Sequence, residues 1–211
     1  MNAYRHAVRG TAKHIADAIA ITVESLREGE VEQEPAMTDR MLGAIVQSLS
    51  GYRGKGLRWR AHTLTDRGPG AKERVYGADF MGVLTISLPD FEVSKGFLAQ
   101  AKLVRPDRRI NMGELRDQCE KMLELSPTSF VFLYGPNGVR VVPALAVTSS
   151  NEDPDKLYSR SAQRFFEEHF QCFIGDRRIS APNVAILDLL KNGFGARRAL
   201  LIEAGIDEEP P

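Results

Sequence analysis

The sequence predicts a mixed α/β domain with helices packed on a central sheet. Three observations carry this expectation. The chain has 211 residues, 43% of them apolar and 27% charged, the balance of an ordinary globular domain long enough for one sizeable core. Its apolar residues recur at steps of three and four in some segments and at every second position in others. The resulting order is helix, helix, three strands, helix, strand pair and a helical end, the pattern of helices laid on a sheet.

Each element has its own signal. Val8, Ala12, Ile15, Ile19, Val23 and Leu26 predict a helix over 4–28. Gly29–Pro35 reads as an acidic linker. Met41, Leu42, Ile45, Val46 and Leu49 predict a second helix over 37–50, with Gly51 after its end. The period then changes. Leu57, Trp59, Ala61 and Thr63 alternate with Arg58, Arg60 and His62, as on a half-buried strand. Asp66–Lys72 is a Gly- and Pro-rich loop. Strands are predicted over Ala78–Ser87 and Gly96–Val104, joined by a connection that contains Pro89. Asn111 with Glu114 three residues later marks a helix start, and that helix runs to about Leu125. Gly135-Pro136-Asn137-Gly138 separates strands Ser129–Tyr134 and Val139–Val142 as a hairpin. Thr148–Asp155 is a polar loop, followed by a helix over 157–170, a short strand over 171–175 and a helix over 182–192 opened by Pro182. The last apolar run, Ala199–Ile202, suits helix or strand.

Several function classes are excluded at once. There is no run of about 18 apolar residues to span a membrane. The N-terminal stretch is interrupted by Arg5, Arg9, Lys13 and Asp17, unlike a signal or transit peptide. Cys119 and Cys172 are too few for a disulfide framework or a four-cysteine zinc site and read as buried free thiols, so a reduced, cytoplasmic protein is expected. The four histidines lack metal-ligand spacing. Gly68-Pro69-Gly70-Ala71-Lys72 lacks the spacing of a nucleotide-binding P-loop and the Ser/Thr that follows its Lys. Trp59, Phe165, Phe166 and Phe170 read as core residues, the phenylalanines alternatively as a subunit interface.

The 28 basic and 28 acidic side chains balance, but unevenly along the chain. Residues 51–75 carry seven basic side chains against two acids, and residues 95–109 carry five against Asp107 alone. Residues 24–39 hold six acids and one Arg. A basic face of this kind suits a polyanion. It equally describes a solvated mixed surface, which charge alone favours.

The residues that could carry chemistry are Asp79, Gln100 and Lys102. Side chains alternate along a strand, so Leu98, Gln100, Lys102 and Val104 share one face. An amide and an ammonium thus project together from an apolar strand, and a buried Lys needs a partner or an opening. If the preceding strand pairs antiparallel, Asp79 comes beside them.

This arrangement resembles the PD-(D/E)xK nuclease superfamily, the restriction-endonuclease-like fold. The match is Asp79, about twenty residues, then Gln100-Ala101-Lys102, with Gly77-Ala78 leading into Asp79. Gln100 stands where an acid is usual, and no Pro precedes Asp79. The Gln-x-Lys variant is that of a branch resembling prokaryotic defence restriction enzymes. The resemblance covers residues 30–145, leaving 1–29 as an N-terminal helix and 146–211 as a C-terminal extension of one domain. It implies a restriction-endonuclease-like core, a central mixed sheet flanked by helices. The implied activity is Mg²⁺- or Mn²⁺-dependent hydrolysis of DNA phosphodiester bonds. Such cleavage needs an activated water and an offset for charge on phosphorus, and Mg²⁺ with oxygen ligands supplies both.

The resemblance assigns Asp79, Gln100 and the Ala101 carbonyl to the metal, and Lys102 to the attacking water or the developing charge. A further carboxylate comes from the early helix: Asp39 is the first choice, Glu34, Glu32 and Glu73 the others. Arg58, Arg60, Lys72 and Arg105 would contact the nucleic-acid backbone. The implied partners are DNA, a second copy of the chain or a higher homo-oligomer, and a recognition or activator subunit, with no membrane.

Plainer readings stand beside these. Lys102 suits an edge strand, Gln100 a buried backbone group, Asp79 a turn after Gly77, and Asp39 a helix N-terminus. The alternative function is an inactive nucleic-acid-binding or protein-interaction subunit on the same fold.

Overall fold

A computed structural model describes residues 2–29, 33–65, 77–107 and 109–206. Lys72, Glu32 and Glu73 lie outside them. The described residues form an eight-stranded mixed sheet with helices on both faces.

The chain opens with α1 (Asn2–Arg27) and α2 (Glu34–Leu49). Helix α2 begins earlier than the apolar period suggests. Pro35 sits in its first turn, where no backbone N–H is needed. Glu34 is thereby drawn out of the expected linker and into the helix start. The strands follow as β1 (Arg53–Gly54), β2 (Leu57–Thr65), β3 (Phe80–Leu88) and β4 (Phe91–Leu103). Strand β4 begins five residues before the expected Gly96, because Leu88 pairs with Phe91 across a two-residue turn. Asn111 caps α3 (Met112–Leu125) by accepting the Glu114 N–H at 3.3 Å, as the spacing predicts. Strands β5 (Ser129–Gly135) and β6 (Gly138–Pro143) form the expected hairpin.

The C-terminal third departs most from expectation. A short α4 (Ala144–Thr148) and the edge strand β7 (Arg160–Ser161) precede α5 (Ala162–Phe170). Helix α5 starts late because Ser161 caps it. The expected strand over 171–175 is instead a turn closing α5, in which Cys172 takes φ +66° and is exposed. Lys95, counted above in a basic stretch, is buried at the same turn and donates to the carbonyl oxygens of His169 (2.5 Å) and Ile174. Helix α6 (Val184–Gly193) is capped by Asn183.

The last apolar run is β8 (Arg198–Ile206). It enters the sheet between β2 and β3, giving the order β1-β2-β8-β3-β4-β5-β6-β7. It runs antiparallel to β2 and parallel to β3. The segment expected as an extension is therefore an interior strand. Flanked on both sides and covered on both faces, it reads as a continuous apolar run rather than an alternating one.

Two cores follow from the alternation. Val8, Ile15, Met37, Met41, Trp59, Phe80, Phe97, Ala99 and Phe165 fill the layer under α1, α2 and α5. Met81, Leu98, Cys119, Met122, Val131, Leu187 and Leu201 fill the layer under α3, α4 and α6. Trp59 and the α5 phenylalanines are core residues, as expected. Among the described residues no helix is long and apolar enough to cross a membrane.

Candidate active site

Strand direction determines what gathers at each end of the sheet. The start of β3, the end of β4, the end of β5 and the start of β8 lie at one end. The N-terminus of α2 reaches that end too, since Glu34 contacts β4 there. Asp79 immediately precedes β3 and donates its backbone N–H to the Ala99 carbonyl at 2.8 Å.

Ala99 and Ala101 point into the α1/α2/α5 layer and Leu98 into the other, so Gln100 and Lys102 share the opposite face as predicted. Gln100 Nε2 donates to Asp79 Oδ2 at 2.6 Å, and the Ala101 N–H donates to the same oxygen at 3.0 Å. Asp79, Gln100 and the 101 backbone are thus one hydrogen-bonded unit. Strand β4 lies between β3 and β5, and although β3 pairs with it only as far as Ala99, Lys102 pairs with Leu133 of β5 and its side chain is largely buried, unlike a solvated edge lysine.

Lys102 meets Glu34. Its Nζ lies 3.5 Å from Glu34 Oε1, while Glu34 Oε2 accepts the Leu103 N–H at 3.0 Å. Asp39, the first choice among the helix acids, is held elsewhere. Arg198 grips it with two guanidinium nitrogens, one to Oδ2 at 2.9 Å, and also donates to the Pro35 carbonyl at 3.2 Å. Glu34 and Asp39 are five residues apart on α2, about 1.4 turns, so they leave the helix on different sides, Glu34 toward β4 and Asp39 toward Arg198.

Burial pushes the Asp79 carboxyl above its ordinary range, against the Ala101 N–H and the charges of Lys102, Arg197 and Arg198. Burial also raises Glu34, opposed by Lys102 and reinforced by Asp79. The two carboxylates are close enough to repel each other. The buried Cys119 thiol on α3 is pushed up to about 12 by burial, with Lys102 near enough to oppose the shift. It is an inert core thiol at neutral pH.

The donors suit a hard cation. Two carboxylates and the Ala101 carbonyl are oxygen donors, whereas Gln100 turns its amide nitrogen to Asp79 Oδ2 and, at 3.4 Å, to the Ala101 carbonyl, so its oxygen would reach an ion only with the amide turned over. Mg²⁺ is commonly bound through one or two carboxylates with water and substrate phosphate completing the shell. Among the described residues no group of three His, Cys, Asp or Glu side chains is placed to hold a metal ion.

Gly77 shapes the approach to Asp79. Its φ is +75°, and a Cβ there would stand 2.5 Å from the Gln118 carbonyl oxygen on α3. Gly77→Ala is expected to lower stability by about 2 kcal/mol, combining left-handed backbone strain with a clash against rigid helix backbone. For a chain this size that is a fall of roughly 4–8 °C in Tm. An unchanged melting curve would contradict this account of the approach.

The expected backbone contacts are dispersed. Arg105 follows β4 near the Asp79 end. Arg60 pairs with Glu203 and Arg58 with Gly205, five and seven residues along β8 from Arg198. That places them roughly 17 and 23 Å away along the strand. They line a cleft with Thr85, Ser87 and Glu203 toward the other end of the sheet. Two arginines at the Asp79 end, Arg197 and Arg198, escaped the sequence reading. Their signal is a basic pair directly ahead of an apolar run, and it becomes legible only once β8 is known to lie beside β3.

The fold and site define a mixed α/β protein with a carboxylate–amide–lysine cluster at one end of its sheet. No family model, curated protein or solved structure matches the chain.

Proposed function

We propose that this chain is a Mg²⁺-dependent endonuclease acting on DNA phosphodiester bonds, with a restriction-endonuclease-like core and a role in prokaryotic defence. One observation carries the reading: Asp79, Gln100 and Lys102 stand together on adjacent strands, with the Asp79 carboxylate bonded to Gln100 and a second carboxylate, Glu34, at Lys102. Asp79, Glu34, Gln100 and the Ala101 carbonyl would hold the ion, with Glu34 taking the part first considered for Asp39. The bound ion would supply Lewis-acid stabilisation and lower the pKa of water. Lys102 orients the attacking water or offsets charge on the phosphoryl oxygens as a compact cation. Arg58, Arg60 and Arg105 supply backbone attraction without reading sequence. Cutting both strands calls for a second copy or a second binding event, and target choice for a partner subunit or low specificity.

The second reading is an inactive nucleic-acid-binding or protein-interaction subunit, favoured by the Gln in place of an acid. Incubation with supercoiled plasmid and Mg²⁺ separates them. Nicking or linearisation that EDTA stops is the expected result. Salt-dependent DNA binding without cutting in Mg²⁺ or Mn²⁺ would replace the enzyme with a binding module. Neither cutting nor binding would leave the interaction subunit.

A further inference from the structure

We propose that Arg197 is a substrate-binding residue that holds a backbone phosphate on the flank of Asp79 opposite Lys102. This rests on the nuclease reading of the same site.

The sheet order sets the placement. Asp79 precedes β3, Lys102 stands on the neighbouring β4, and Arg197 immediately precedes β8, the neighbour on the other side. The parallel register pairs Phe80 with Arg198, so Arg197 and Asp79 enter the sheet at the same level on adjacent strands. Neighbouring strands are about 4.8 Å apart. The Arg197 charge is accordingly felt at the Asp79 carboxylate, as the Lys102 charge is.

The two arginines divide the work. Arg198 is buried and committed, gripping Asp39 and the Pro35 carbonyl. Arg197 is exposed and makes no hydrogen bond or ion pair among the described residues. Its guanidinium fork is therefore available, and that fork matches two phosphate oxygens. A phosphodiester lying over Asp79 would have the compact Lys102 ammonium on one side and the Arg197 fork on the other. Lys102 is already in an ion pair with Glu34; Arg197 acts on Asp79 only through space and is in no ion pair among the described residues. The substrate class that fits is a nucleic-acid backbone, held by charge and geometry.

The test compares wild type, Arg197→Ala, Arg197→Lys and a control, Arg5→Ala, on an exposed position of α1. Cleavage of a DNA duplex in Mg²⁺ gives kcat and KM. Binding of the same duplex in Ca²⁺ at several salt concentrations gives the slope of affinity against salt. Arg197→Ala is expected to raise KM roughly tenfold with little change in kcat, and to reduce the salt slope by about one. Arg197→Lys should restore the slope but not all of the affinity, and Arg5→Ala should match wild type. Wild-type cleavage with unaltered KM and slope in Arg197→Ala overturns the proposal and leaves the nuclease reading standing. Binding without cleavage, with the slope reduced in Arg197→Ala, removes the nuclease reading and keeps Arg197 as a phosphate contact. Absence of DNA binding by wild type overturns both.

Discussion

Lys102→Ala is expected to lower Mg²⁺-dependent DNA cleavage by about 10²–10³-fold, the usual effect of removing one preorganised charge from a transition state. The expectation rests on where the ammonium sits. Lys102 lies on an interior strand beside the Asp79–Gln100 unit, and its side chain is only 14% exposed. A charge so placed acts through little water, so it is worth more than a surface lysine. The variant should fold, since the removed group ends at the sheet margin and the Ala101 and Leu103 backbone bonds remain. Thermal melting verifies that separately from activity. Lys102→Arg should not rescue fully, because a planar fork cannot occupy the place of a compact ammonium. Glu34→Gln is the companion variant, expected to cost more activity than Asp39→Asn because Glu34 meets Lys102 and Asp39 is bound to Arg198. Undiminished cutting by Lys102→Ala would place the chemistry elsewhere.

Asp79→Asn should abolish cleavage and, at the same time, make the protein more stable. The carboxyl is buried and shifted above its ordinary range despite two hydrogen-bond donors and three nearby cations. The sign follows from proton counting. Between the ordinary carboxylate value and the raised one, the folded protein holds more protons than the unfolded chain. Stability therefore falls as pH rises through that window and is level above it. An amide avoids the charge, and its oxygen can still accept from Gln100 and Ala101. At pH 8 the variant should melt roughly 2–4 °C above wild type, for about 1 kcal/mol in a chain this size. The difference should shrink as pH falls into the window. Mg²⁺ binding, followed by calorimetry, should disappear with the carboxylate. A variant that melts below wild type at pH 8 would mean that the Asp79 charge stabilises the fold and that its neighbours outweigh its burial.

The same carboxylates explain a pH dependence expected of wild type. Protonated Asp79 or Glu34 cannot serve as a ligand, and both are shifted upward. Metal affinity should therefore weaken on acidification sooner than ordinary carboxylates would allow.

The face shared by Gln100 and Lys102 was legible in the sequence because strand alternation is a local property, and so was its meeting with Asp79, which needs only one hairpin. The Asn111 cap and the 135–138 turn were legible for the same reason: each is a bond or dihedral preference within four residues. Trp59 and the α5 phenylalanines declared themselves by size and apolar spacing. What distance in the chain concealed was which charges meet. Glu34 rather than Asp39 reaches Lys102 because a Pro-initiated turn starts α2 early and lays its end against β4, 69 residues away. Arg197 and Arg198 reach the site because β8 inserts between β2 and β3, a parallel pairing across more than a hundred residues that leaves no local mark. Lys95 passed for a surface charge until the turn after α5 closed over it. The sequence by itself thus determined most of the elements through the 135–138 hairpin, their buried faces and the Asp79–Gln100–Lys102 cluster, but not the strands and turns of the C-terminal third. Only the tertiary structure decided which acids and arginines surround that cluster, because long-range pairing depends on the packing of whole layers and not on the periodicity of any one segment.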